Sequence, residues 1–126
     1  MRRVLLSCVA AATLAMVSAA LRVAPGRAMR CMCATPRRKQ DSRHLTLPAL
    51  VSVVSGIGFG AYVPITCLTR ASTVFVLGRI LGLDPTLVVG VRRHGSDLAA
   101  HAWIESDHIM VPMQDVGQYT RLWSTA

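Results

Sequence analysis

The sequence predicts an α+β fold in which a helix carrying a cysteine packs on a small antiparallel sheet, preceded by a further helical segment. Three observations carry this expectation. An uncharged run from Val4 to Leu21 follows two arginines, Cys67 to Leu81 runs without proline along an apolar helical face, and β-branched or alternating segments follow from Thr86 to Val111.

A chain of 126 residues suits one domain with a real hydrophobic core and is short for two. Apolar residues make up 52% and charged residues 16%, which argues against a disordered chain. The net charge of +8 favours an acidic partner. Basic residues gather early, at Arg2, Arg3, Arg22, Arg27, Arg30, Arg37, Arg38 and Lys39, while aromatic side chains for base stacking are scarce, so nucleic acid is not the expected partner.

Residues 1–34 read as an apolar helical region. Ser18, Ala19 and Ala20 are small residues of the kind a signal peptidase accepts, and the run just reaches the length of a bilayer span. It equally suits a buried helix, with an incomplete stripe at Leu5, Leu6, Val9, Leu14, Met16, Val17 and Leu21. Pro25 and Gly26 are expected to stop it, and Ala28 to Cys33 to form a second short helix. Residues 35–44 are polar and read as a linker, with the core unit over 45–126. Cys8, Cys31, Cys33 and Cys67 lack the spread of a disulfide framework. The C-x-C pair has no further ligands to complete a zinc site, so neither metal nor cofactor is expected.

Within the core, Leu45 to Ser55 is expected as a helix with Pro48 in its first turn. Gly56, Gly58 and Gly60 follow no strand and no lysine accompanies them, so they are weak grounds for a nucleotide site. Thr66 can cap the helix that starts at Cys67, and Gly82 marks its end. Strands are expected at Thr86 to Val91, Leu98 to Glu105 and Ile109 to Val111, with Arg92 to Asp97 as a connection. Period-two geometry places His101, Trp103 and Glu105 on one face and Ala100, Ala102 and Ile104 on the other.

A cysteine at a helix start followed by a histidine on a strand is an arrangement for thiol catalysis. The helix terminus favours a thiolate, the imidazole moves the proton, backbone N–H groups can hold an oxyanion, and an acid should orient the imidazole. The plainer alternative is a small apolar cysteine and a hydrogen-bonded core histidine.

The strings P-I-T-C-L-T-R-A at Pro64 to Ala71, L-V-V-G-V at Leu87 to Val91 and A-H-A-W-I-E at Ala100 to Glu105 resemble the transglutaminase-like cysteine peptidases of lasso-peptide biosynthesis, related to the C-terminal domain of the microcin-processing protein. The resemblance runs from about Leu47 onward and is to the standalone form, whose leader-recognition domain is a separate protein. It implies a transglutaminase/papain-like core and removal of the leader from a lasso-peptide precursor, with Cys67 as nucleophile and His101 as general base. The implied partners are the precursor leader, a separate leader-binding protein and an ATP-dependent, asparagine-synthetase-like cyclase. The family's third, acidic position falls on Met113 here; Asp115 is the first substitute and Asp107 the second. Arg70 is expected to support the fold or a partner contact, and Trp103 and Glu105 to pack beside the site. Work alongside an ATP-using cyclase implies the cytoplasm, with the apolar helix retained and able to touch a membrane. Two other readings remain open: a non-catalytic assembly partner, and a small basic exported or membrane protein.

Overall fold

The structure, a computed structural model, describes residues 2–39, 45–58, 66–106, 109–110 and 118–125, with the backbone alone at 109–110. Four helices, α1 (Arg2–Val23), α2 (Pro25–Cys33), α3 (Leu47–Ser55) and α4 (Cys67–Ile80), precede four strands, β1 (Thr86–His94), β2 (Asp97–Ser106), β3 (Ile109–Met110) and β4 (Thr120–Ser124). The fold class is the expected one, with the Cys67 helix against an antiparallel sheet.

Pro25 and Gly26 do interrupt the first helix, but they open α2 rather than a loop: Pro25 lies in its first turn, where a missing N–H costs nothing. Ala24, at φ −149 and ψ 73, is the whole hinge between the two helices. At α3 the expected start moves two residues on, because Thr46 serves as the cap and accepts from the Ala49 N–H at 3.4 Å. Thr66 does the same for α4, accepting from Thr69 N–H at 3.2 Å. The far end of α4 closes with Gly82 at φ 79 and with the Leu83 N–H returning to Gly78 O at 2.8 Å.

The sheet runs in the order β3-β2-β1-β4, antiparallel throughout. β1 and β2 form a hairpin that stays paired to His94 and Asp97, so the expected connection over 92–97 shrinks to a two-residue turn. Gly95 makes that turn possible with φ 63, a left-handed conformation that costs glycine little because it has no Cβ. β4, which the sequence pattern did not suggest, pairs with the outer edge of β1 and carries an irregularity at Val89 and Gly90.

One face of this sheet is covered by helices. Leu87, Ala102 and Ile104 join Ala71, Val74, Phe75 and Leu77 of α4, Leu50, Val51 and Val54 of α3, and Ala10 and Leu14 of α1 in one core. A smaller cluster of Val17, Ala28 and Met32 fastens α2 to α1. Arg70 supports the fold, as anticipated: its guanidinium donates to the carbonyls of Val54 (2.7 Å), Ser55 (3.1 Å) and Ile57 (3.0 Å), where α3 ends with acceptors that no helical N–H can reach.

Since Leu14 has no exposed surface, Leu14→Ala is expected to lower stability by about 2–5 kcal/mol, read from the urea midpoint with the denaturant slope unchanged. A change below about 0.5 kcal/mol is what a merely peripheral α1 predicts.

Candidate active site

Cys67 occupies the first residue of α4, half-buried, with its side chain packed against the main core. Of the amide hydrogens in that first turn, Thr69 N–H is taken by the Thr66 hydroxyl and Arg70 N–H by the Thr66 carbonyl. The amides of Cys67 and Leu68 have no acceptor within the helix. Two N–H groups at a positive helix end, beside a sulfur, can stabilise an anion formed on a carbonyl that the sulfur attacks.

His101 lies in the middle of β2, directly across from Gly90 on β1. Its ring neighbours are Tyr119, at 5.4 Å between centroids, and Trp103, at 6.2 Å and nearly parallel. The missing side chain at Gly90 admits this arrangement, because a Cβ there would lie 2.7 Å from Trp103 Cη2 and 2.9 Å from the Thr120 carbonyl. Trp103 donates from Nε1 to Glu105 Oε1 at 3.0 Å, and the other carboxylate oxygen accepts from Arg121 at 2.5 Å. The Arg92 guanidinium stacks over the Tyr119 ring at 5.1 Å and donates to Gln118 Oε1 at 3.1 Å.

Burial, and then the positive charge of Arg92, hold the His101 imidazole below the usual histidine range. Both act on the imidazolium, and both favour a neutral ring. Its Nε2 atom is enclosed yet finds no hydrogen-bond partner among the described residues. A buried polar atom without a partner costs free energy, and such atoms in folded proteins call for an explanation. A neutral imidazole with a nitrogen left open is the form a general base requires.

No hydrogen bond joins the Cys67 sulfur to His101 among the described residues. Cys67 belongs to the cluster that includes Ala102 and Ile104, whereas His101 projects with Trp103 toward Tyr119 on the other face of β2. β3 pairs with β2 only at Glu105 and Ser106, so beside His101 the outer edge of β2 carries no strand among the described residues. Asp115 and Asp107, the candidate acids, and Met113 between them lie outside the described residues. The sequence reading missed Tyr119, Arg92 and Gly90 as neighbours of the imidazole. Extending β1 to His94 would have put Gly90 and Arg92 on the His101 face by alternation, but nothing local to Tyr119 signals its place.

A family described as the Transglutaminase-like superfamily matches residues 7–124. No curated protein and no solved structure matches the chain.

An NMR titration of His101 is expected to give a midpoint below the ordinary 6.5, and Arg92→Gln should move it upward by removing one of the two causes. A midpoint at or above 6.5 in the parent protein contradicts this account of the imidazole's surroundings.

Proposed function

This chain belongs to the transglutaminase-like superfamily, and from that premise we propose that it is a cysteine peptidase that removes the leader from a lasso-peptide precursor during maturation. Members of the superfamily commonly have cysteine-protease activity. The observation that carries the reading is the pairing, within one domain of this family, of a cysteine at the tip of α4 with a strand histidine whose Nε2 is enclosed and unpartnered.

In this mechanism His101 Nε2 takes the proton from the Cys67 thiol, and the sulfur attacks the scissile carbonyl. The oxyanion settles against the Cys67 and Leu68 amides. Collapse breaks the C–N bond, and the imidazolium returns its proton to the leaving amine, so the core peptide departs with a free amino group. Water, deprotonated by the neutral imidazole, then attacks the thioester carbonyl; the C–S bond breaks, the imidazolium returns its proton to the Cys67 sulfur, and the leader leaves as a carboxylic acid. Meeting of sulfur and imidazole requires His101 to swing away from Tyr119 and toward Cys67. Asp115 is the proposed orienting acid. The freed amine suits a following step in which an ATP-dependent, asparagine-synthetase-like cyclase joins it to a side-chain carboxylate, and a separate leader-binding protein delivers the precursor.

A second reading, a non-catalytic assembly partner of the same maturation complex, draws on the separation of Cys67, packed in the main core, from His101, whose ring lies against Trp103 and Tyr119. The two part company on one measurement. With precursor and leader-binding protein present, mass spectrometry should detect the released leader, and Cys67→Ala should slow its appearance by at least about a thousandfold. Release at the parental rate by Cys67→Ala rules out the nucleophile and favours the assembly role.

A further inference from the structure

The outer side of α1 is apolar without being buried. Leu5, Val9, Met16 and Val23 are 67%, 45%, 72% and 85% exposed. Their spacing, with Ala12 between Val9 and Met16, follows successive helical turns, so they form one stripe along the helix. The stripe lies roughly opposite the side that buries Ala10, Leu14 and Val17. At about 1.5 Å per residue it extends for roughly 30 Å. An uncovered apolar stripe of this length marks an interaction surface.

Charge identifies what it meets. Through Lys39 the sequence holds 8 of the 14 basic residues and no acidic one; beyond it, 6 basic residues balance 6 acidic ones. The entire net charge of +8 therefore belongs to the segment built from α1, α2 and the residues just after them. Arg2 and Arg3 sit at the start of the stripe's helix, Arg22 at its end, and α2 adds Arg27 and Arg30 on its exposed surface. From these observations we propose that the outer face of α1 docks on an anionic lipid surface and lies in the plane of the headgroups.

A helix with an apolar side toward the acyl chains and arginines reaching the phosphates satisfies both kinds of surface at once. A second copy of the chain would supply the apolar contact but bring a second cluster of the same charge against the first. Crossing the bilayer is the other use open to α1, which is long and apolar enough for it. That would require pulling Ala10 and Leu14 out of the core they share with α3 and α4.

The test is co-sedimentation of the full chain with vesicles of phosphatidylcholine and phosphatidylglycerol at about three to one, against phosphatidylcholine alone. The protein should pellet with the anionic vesicles, stay in solution with the neutral ones, and be released as salt rises from about 0.1 to 0.5 M. Leu5→Gln with Met16→Gln should weaken partitioning by about tenfold while leaving the melting temperature of the soluble protein unchanged. Equal binding to both vesicle types, no binding, parental binding by the double variant, resistance to alkaline carbonate extraction, or self-association in place of lipid binding would each overturn the proposal.

Discussion

Enclosure of α4 on every side is the constraint from which the rest of the architecture follows. From Thr69 to Gly78 only Arg70 and Val76 escape full burial. A helix without a solvent face needs cover all round, and the chain provides it with α1 and α3 on one side and the β1–β2 hairpin on the other. Thr73 fits that setting by bonding its own helix's backbone, its hydroxyl donating to the Thr69 carbonyl at 2.8 Å. A rod held this way has little freedom to slide or tilt, and Cys67 at its tip inherits that fixity.

Arg70 extends the constraint to the neighbouring helix. Its guanidinium gathers three carbonyls at the end of α3, so one side chain both serves the acceptors there and ties the two helices together. On the opposite face of the sheet the organising residue is Gly90, whose bare backbone accommodates the Trp103 ring. These two contacts govern the two sides of the candidate site separately, the sulfur through α4 and the imidazole through β1 and β2.

The parts of the fold that were legible in the sequence are those with a local cause. Thr66 before Cys67, a proline-free apolar stretch and Gly82 beyond it define α4 almost to the residue, and alternation around His101 sorts β2 into its two faces. Cysteine at the helix start and histidine on the strand could be named for the same reason. Less visible were features decided at a distance. β4 is short and mostly exposed, and its pairing with β1 is non-local, so neither composition nor periodicity announced it. Tyr119 becomes a neighbour of His101 only through that pairing. Pro25 was read as a stop although it also suits the first turn of a helix, and the choice depended on Ala28 and Met32 having somewhere to bury themselves.

Glu105 has a consequence that reaches beyond its own strand. Its carboxylate receives the Trp103 indole on one oxygen and Arg121 on the other, and because β1 runs between β2 and β4, this second contact bridges the sheet over an intervening strand. The terminal ribbon around Leu122 and Trp123 is otherwise anchored chiefly by its ladder with β1 and by Thr125, whose N–H donates to Leu87 O and whose hydroxyl accepts from Leu87 N–H. Were the carboxylate lost, detachment of that ribbon would become less costly, and it would uncover the imidazole's aromatic wall without disturbing the helical half of the domain.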